Sequence, residues 1–401
     1  MTGSSATQPA SQPAAGPYGA GTATTAAPPS PPAASGNAPA STSTPTENAA
    51  EAAETPETRE APEASDAPNA TEALEAEEPE NETDDGASFD ERLSSYSASL
   101  ASSAVEYPTE YGRRYHAFRP GSYFMPNDEV EMDRLDLSHA ITLKLYDYRM
   151  YLSPLEKDKV FKILDIGTGT GIWAMEMGDL FPNAEVYGND LSPIQPDWVP
   201  PNVKFEIDDV ESEWLDDRKY DFILCRYMVG SIADWPKLVK NIYDNLNPGG
   251  WAEFVDMSGE YYSDDGTLTE NHATRKWNKT LVDAIASIGR ESRPGPKLEG
   301  WVREAGYQNM VHQKFKVPIG PWAKDEFHKD VGWMNLKQVL QGLEGFTMRI
   351  FTGVLGWSRE EVEVQLIDVR KELKAVHTFH ALFDVHVVYG QKPLVEEEAS
   401  Q

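Results

Sequence analysis

The spacing of apolar residues along the chain changes at definite points, and each spacing predicts an element of secondary structure. Between residues 129 and 151, apolar residues recur every three or four positions, which is typical of a helix with one buried face. Asn127 and Asp128 lie just before this stretch, and both side chains are of the kind that caps helices. Residues 160–166 form a short, almost continuously apolar run, which predicts a buried strand.

These two patterns alternate through most of the remaining chain. Further strands are predicted at residues 184–188, 203–207, 220–225, 251–256, 310–317 and 383–389, and further helices at residues 172–180, 238–246, 275–289, 298–305, 327–355 and 358–374. The Asn-Pro-Gly-Gly run at residues 247–250 is typical of a turn. Short strands that alternate with helices indicate an α/β fold, in which a mostly parallel sheet carries helices on both faces.

The first ninety or so residues differ in composition from the rest. Residues 1–90 are rich in Ala, Pro, Ser, Thr and Glu, and they hold 16 acidic residues against one basic residue, Arg59. This segment holds too few large apolar side chains to offset the conformational entropy that the backbone would lose on folding. We therefore predict that residues 1–95 are a disordered acidic tail. The tail either keeps the protein in solution or binds a basic partner. The predicted folded domain is residues 96–395, with a helical segment at about residues 105–152.

Charge and cysteine content argue against several classes of protein. The formal net charge of −31 opposes direct binding to nucleic acid. No apolar run approaches the roughly 18 residues of a membrane span, and no signal or transit peptide is expected. Cys225 is the only cysteine, which suits a reducing compartment, so we expect the nucleus or the cytoplasm. The histidines show no spacing with Cys or Glu that predicts a metal site.

Candidate chemistry begins at a glycine loop between the predicted strand at 160–166 and the helix that follows. The loop reads Asp165-Ile166-Gly167-Thr168-Gly169-Thr170-Gly171. Glycines without a Cβ atom permit a tight turn and a close approach to a ligand, and the amides at a helix N-terminus favour a negative group. We expect the loop to bind a cofactor through Asp165, Gly167, Thr168, Gly169 and Gly171.

The spacing of the glycines separates two kinds of nucleotide site. A dinucleotide fingerprint would place its third glycine where Ile172 stands, whereas this loop has it at Gly171. Asp190 ends the next strand, 19 residues after Gly171, and a carboxylate there can accept hydrogen bonds from both ribose hydroxyls. We therefore expect S-adenosyl-L-methionine as cofactor, with Asp190 and Leu191 in its site and the methionine carboxylate at the start of the helix.

Two further strand ends contribute candidates at the same edge of the sheet. Asp209 follows the third strand and can accept from the adenine amino group, while the Val210 amide donates to the ring. A solvated acidic turn is the alternative for this pair. Arg226 leaves the fourth strand at the carboxyl edge, where ligands bind in open α/β sheets. Cys225 is interpreted as a buried apolar side chain rather than a nucleophile.

The stretch from 107 to 124 is dense in aromatic and basic residues. Two roles stay open for it: closing over the cofactor, or packing the first helix against the sheet. No residue is predicted as a catalytic base.

Several motifs carry a resemblance to a known family. They are Gly112-Arg113-Arg114-Tyr115-His116, Pro126-Asn127-Asp128-Glu129, the glycine loop with Ile172-Trp173, Asp190-Leu191-Ser192-Pro193, Phe205-Glu206-Ile207-Asp208-Asp209, Gly249-Gly250-Trp251-Ala252-Glu253 and Pro318-Ile319-Gly320-Pro321-Trp322. In these residues the chain resembles the LaeA-like methyltransferases of filamentous fungi, which are related to the velvet-complex regulator of secondary metabolism. The resemblance covers roughly residues 107–393.

The resemblance implies a class I methyltransferase fold, a Rossmann-like seven-stranded sheet with its last strand antiparallel. It also implies velvet-type regulatory proteins as partners and nuclear work in development and secondary metabolism. Three functions stay open at this point: a regulatory methyltransferase in a protein complex, a small-molecule methyltransferase of a biosynthetic cluster, and an interaction protein with vestigial catalysis. The methyl acceptor is not predicted.

Overall fold

A computed structural model describes residues 107–119, 121–214 and 217–394. The predicted acidic tail lies outside the described residues, and so does the predicted start of the folded domain at residue 96.

Nine strands lie in the described part of the chain. They are β1 (Thr109–Glu110), β2 (Arg113–Arg114), β3 (Lys162–Ile166), β4 (Glu185–Asp190), β5 (Val203–Ile207), β6 (Tyr220–Arg226), β7 (Leu246–Met257), β8 (Gln308–Pro318) and β9 (Leu382–Gln391). β1 and β2 form a small antiparallel ladder. The other seven form one sheet in the order β5-β4-β3-β6-β7-β9-β8.

Seven α-helices accompany these strands in the described part of the chain. They are α1 (Glu129–Leu145), α2 (Ile172–Leu180), α3 (Trp235–Asp244), α4 (Ala273–Ser287), α5 (Leu298–Glu304), α6 (Glu326–Gly353) and α7 (Arg359–Lys374). Two helix starts follow from local side chains. Asp128 caps α1 by accepting from the Glu131 N–H, as predicted, and Ser358 and Glu361 form a capping box at α7.

The sheet is parallel except at its last strand. β5, β4, β3, β6 and β7 pair in parallel, whereas β9 is antiparallel to both β7 and β8. This confirms the predicted seven-stranded, mostly parallel sheet and the antiparallel last strand. The strand order reverses direction at β3, whose two neighbours are β4 and β6, and such a switch point opens a crevice at the carboxyl ends of the strands.

Apolar side chains cover both faces of the sheet. One core cluster includes Trp173, Trp277 and Val339, so it joins the sheet to α2, α4 and α6. A second includes Leu238 and Leu298 and joins the other face to α3 and α5. The two clusters are the layers predicted for helices on both faces. Among the described residues, no helix is both long and apolar enough to cross a bilayer.

Two predicted boundaries lie five or more residues from the observed ones. The helix predicted to reach residue 151 ends at Leu145, because Asp147 and Tyr148 adopt positive φ angles of 53° and 58°. The apolar residues after it pack as a turn instead. The turn predicted at residues 247–250 lies inside β7, where the register with β6 shifts and Gly249 has a φ of 80°. The glycines there form an irregularity within a strand rather than a break before it.

Candidate functional site

The glycine loop joins the carboxyl end of β3 to the start of α2 at the centre of the sheet. Gly167 follows Ile166, and Gly171 is the N-cap residue of α2. Both glycines have positive φ angles, 65° and 79°, which L side chains rarely adopt. A Cβ atom on Gly167 would also lie 2.6 Å from the Sδ atom of Met228. The positive φ angles are what require glycine at these two positions, and at Gly167 the missing Cβ also leaves space for the Met228 side chain.

Asp190 ends β4, and its carboxylate holds the glycine loop in place. Its Oδ2 accepts a hydrogen bond from the Gly169 N–H at 2.9 Å, and its Oδ1 accepts one from the Ser192 N–H at 2.9 Å. Burial raises the pKa of Asp190 above its ordinary value, and these two hydrogen bonds oppose the rise. Each oxygen of a carboxylate accepts more than one bond, so Asp190 retains acceptor capacity toward a ligand.

Asp165 lies underneath the loop. The Thr168 hydroxyl donates to its Oδ2 at 2.6 Å, and burial raises the pKa of the Asp165 carboxyl to about 6. Its Oδ1 has no hydrogen-bond partner among the described residues. Asp165 is 1% exposed and is not among the described residues that line the adjoining cavity. Its contacts are with the loop itself.

The turn after β5 brings a second acidic group to the same edge of the sheet. Asp209 Oδ1 accepts from the Glu211 N–H at 3.0 Å, and its Oδ2 lies 3.7 Å from Arg119 Nε. Asp209 and Val210 both line the cavity. Because β5 pairs with β4, this turn lies beside the loop that follows Asp190.

The described residues between 107 and 127 cross the loops that follow β4 and β5. The Tyr107 hydroxyl donates to the Pro193 carbonyl at 2.9 Å, and Asn127 Nδ2 donates to Ser192 Oγ at 3.3 Å. Residues 122–127 line the cavity. Of the two roles left open for this segment, the geometry favours closure over the site.

A cavity of about 250 Å³ runs from the glycine loop into the space between α1, α4 and α6. Its first part, the crevice, is lined by the loops after β3, β4, β5 and β6 and includes Gly167, Asp190 and Asp209. Its second part, the chamber, is lined by residues of α4, α6, β8 and β9 and includes Trp277 and Val339, which are 1% and 3% exposed. The site thus combines a polar crevice with a largely apolar chamber.

Arg226 ends β6 and lines the crevice beside the glycine loop. Its Nη1 lies 3.1 Å from His139 Nδ1, and His139 Nε2 lies 3.2 Å from Glu176 Oε2. A guanidinium only donates, so Nδ1 accepts and Nε2 carries the proton that is donated to Glu176. Burial, together with the Arg226 charge, lowers the pKa of His139, which keeps the ring neutral at neutral pH. The sequence predicted Arg226 as a site residue, but it did not predict His139 of α1 or Glu176 of α2. The one signal that could have indicated His139 was its position among the apolar residues of the first helix.

The other predicted residues divide into two groups. Thr168, Gly169, Leu191 and Val210 line the cavity, whereas Gly171 does not, and its role is the turn into α2.

Cys225 is buried, and burial raises the pKa of its thiol well above the ordinary value, so it stays protonated. In the part of the chain that the structure describes, no group of three or more His, Cys, Asp or Glu side chains is arranged to hold a metal ion.

A family model described as a methyltransferase domain matches residues 137–313. That range includes the glycine loop, Asp190, Asp209 and Arg226, and it ends within β8.

Three curated relatives match most of the described chain. "Methyltransferase pytC" of Aspergillus terreus is 47% identical over 296 residues, which cover 74% of this chain and 91% of the relative. "Secondary metabolism regulator LAE1" of Cochliobolus heterostrophus is 36% identical over 291 residues, 71% of this chain and 94% of the relative. "Protein-methionine methyltransferase laeA" of Emericella nidulans is 35% identical over 299 residues, 72% and 77% of the two chains.

Proposed function

The chain belongs to the LaeA-like family of S-adenosylmethionine-dependent methyltransferases, and from this premise we propose that it methylates a small molecule bound in the chamber. The family resemblance read from the sequence motifs is thereby confirmed. The observation that carries the proposal is the continuity of the cavity, which leads from the glycine loop to the buried side chains of α4 and α6.

The crevice suits S-adenosylmethionine in the groups it presents. Asp190 would accept hydrogen bonds from the ribose hydroxyls with the acceptor capacity that Gly169 and Ser192 leave free. Asp209 would accept from the adenine amino group. Arg226 would face the methionine carboxylate together with the amides at the start of α2. Gly167 and Gly169 line the crevice, so their backbone would lie against the bound cofactor.

When bound, S-adenosylmethionine would supply a sulfonium methyl group: a lone pair of the acceptor would form the bond to the methyl carbon, the carbon–sulfur bond would break with its electrons on sulfur, and the acceptor's proton would be lost to solvent once the product is released. The residues of this chain contribute by holding the two reactants in line, which is the main catalytic effect available to them. Residues 122–127 line the cavity and would limit the access of water to the reacting atoms.

We predict that His139→Leu weakens S-adenosylmethionine binding by about 10-fold, the value of one hydrogen bond of about 1.4 kcal/mol. The variant removes His139 Nδ1, which accepts a hydrogen bond from Arg226 Nη1 at 3.1 Å and so orients the guanidinium. Titration calorimetry measures the affinity. Glu176→Gln is the matched control, because a glutamine still accepts from His139 Nε2, and its affinity is expected to stay within about two-fold. An unchanged affinity in His139→Leu would contradict the role of the histidine.

A second candidate function is regulation within a protein complex. It is supported by the names of the relatives at 35–36% identity, which include secondary metabolism regulators. Under this proposal velvet-type regulatory proteins bind the chain and it acts in the nucleus; under the first proposal it acts in the cytoplasm. The Emericella nidulans relative carries a protein acceptor in its name, methionine.

Metabolite profiles of a deletion strain, complemented by variants, test the two proposals. Complementation uses the wild-type gene, Asp190→Ala, and Asp197→Ala as a control, since Asp197 is exposed and outside the cavity lining. We expect the deletion to lose one methylated compound and accumulate its unmethylated precursor, and only Asp190→Ala to fail to restore it. Broad changes in many metabolites would favour the regulator, and full rescue by Asp190→Ala would contradict catalysis in either role.

A further inference from the structure

We propose that the methyl acceptor is an uncharged, largely apolar molecule that donates one hydroxyl or N–H hydrogen bond to Asn335 in the chamber. This inference rests on the proposed function and specifies the substrate class of the same site. It depends on three features of the chamber: its apolar walls, its lack of charge, and one buried acceptor atom without a partner.

The walls of the chamber are apolar and buried. Trp277 and Ile285 of α4, Val339 of α6, and Val317 and Val385 of β8 and β9 are between 1% and 5% exposed. The indole N–H of Trp277 is bonded to Thr347 Oγ1 at 2.8 Å, so the ring is held in one position by α6. A flat or compact apolar molecule would gain roughly 25 cal/mol for each Å² of apolar surface placed against such walls.

Charge is absent from the chamber walls. None of the described lining residues contributed by α4, α6, β8 and β9 is charged. Arg134 of α1 reaches the cavity, but both Nε and Nη2 donate to Glu131 Oε1, at 3.0 and 2.7 Å. An ionised acceptor in the chamber would lose its hydration without a counter-charge, which is strongly unfavourable. The walls therefore select a neutral molecule.

Asn335 of α6 supplies a buried acceptor atom that has no partner among the described residues. Its side chain lines the chamber and is 1% exposed. Nδ2 donates to the Pro318 carbonyl at 2.8 Å, which fixes the orientation of the amide because a carbonyl can only accept. Oδ1 has no hydrogen-bond partner among the described residues. A buried, unpaired acceptor costs about 1–3 kcal/mol, so a ligand donor that pairs with it binds with a corresponding advantage.

The neighbouring asparagine shows that an unpaired amide is not general in this chamber. Asn278 of α4 also lines it and is 3% exposed. Its Oδ1 accepts from the Tyr261 N–H at 2.8 Å, and its Nδ2 donates to the Gly259 carbonyl at 3.0 Å. Both polar atoms of the Asn278 side chain are thus bonded to the chain that follows β7. Among the described residues that line the cavity, Asn335 alone has a buried side-chain acceptor atom without a partner.

Binding of three naphthalene probes tests this proposal. In the presence of S-adenosylhomocysteine, we expect 2-naphthol, whose hydroxyl donates, to bind about 10-fold more tightly than 2-methoxynaphthalene, which has no donor. The carboxylate of 2-naphthoic acid is expected to bind more weakly than either. Asn335→Leu, of similar size, is expected to bring the affinities for 2-naphthol and 2-methoxynaphthalene within about two-fold of each other. Fluorescence of the probes measures all three affinities.

A second variant separates loss of the anchor from loss of the fold. Val339→Phe fills the chamber without touching the crevice, so it is expected to weaken both neutral probes equally and to keep the affinity for S-adenosylhomocysteine. Equal affinity of the wild type for 2-naphthol and 2-methoxynaphthalene, or an unchanged preference in Asn335→Leu, would overturn the anchor. Binding of S-adenosylhomocysteine without any neutral probe would overturn the substrate class but leave the proposed cofactor site intact. Absence of S-adenosylhomocysteine binding would overturn the proposed function itself.

Discussion

Replacing Asp190 by alanine is expected to weaken the binding of S-adenosylmethionine by about 100-fold. Two hydrogen bonds from ribose hydroxyls to a carboxylate contribute about 1.4 kcal/mol or more each, and every 1.4 kcal/mol is a factor of ten in affinity. The same substitution removes the acceptors of the Gly169 and Ser192 N–H groups, which position the glycine loop. Titration calorimetry with S-adenosylmethionine measures the change.

Two comparisons isolate the role of the carboxylate. Asp197→Ala removes the same charge from an exposed position in the chain after β4, and it is expected to leave the affinity unchanged. In the wild type, the affinity is expected to fall as the pH drops through the pKa of Asp190, which burial raises, because a protonated carboxyl loses acceptor capacity. Asp190→Asn is expected to bind weakly at every pH. A pH-independent wild type, or equal affinity in Asp190→Ala, would exclude Asp190 from the cofactor site.

The sheet follows from the sequence because its signals are local. The strands of the parallel part are short apolar runs or, as in β5, short alternating segments. The glycine loop stands between the apolar run of β3 and a helix, so this segment alone identifies the switch point at β3. The end of α1 has no such signal. Its apolar pattern continues to residue 151, but Asp147 and Tyr148 turn the chain with positive φ angles, and Met150 accepts from the Trp173 indole at 2.8 Å. A tertiary contact there overrides the periodicity.

The residues of the candidate site also fall into a group that could be predicted from the sequence and a group that could not. Asp190 and Asp209 stand at the ends of predicted strands, so their convergence at one sheet edge follows from topology. His139, Glu176 and Asn335 come from three helices whose faces meet only after folding. No spacing in the sequence joins them, since helix packing decides which residue of each face reaches the cavity. The residues of the crevice can therefore be predicted from the sequence, whereas those of the chamber cannot.

Replacing Arg134 by methionine is expected to lower the free energy of unfolding by about 3–5 kcal/mol, because it leaves the buried Glu131 carboxylate without its partner. The Arg134 and Glu131 side chains are 9% and 2% exposed. The guanidinium also lies over the Phe346 ring at 5.1 Å, so α1 and α6 meet at this pair. Arg113 of β2 is paired with Asp128, the N-cap residue of α1, at 2.5 and 2.8 Å, so it already has a carboxylate partner of its own. Urea unfolding followed by tryptophan fluorescence measures the loss.

A double variant distinguishes an unpaired charge from lost packing. Arg134→Met combined with Glu131→Gln removes both charges, and it is expected to recover more than half of the stability lost in Arg134→Met, since no uncompensated ion is left in the interior. Lys159→Met breaks an ion pair of the same spacing with Glu156, but both side chains are about 70% exposed, so its effect is expected to stay within about 0.5 kcal/mol. The stability lost in the double variant is compared with the sum of the losses in Arg134→Met and Glu131→Gln alone. If the two were equal, the charges of Arg134 and Glu131 would not be coupled. The loss in Arg134→Met would then come from the contact of Arg134 with α6.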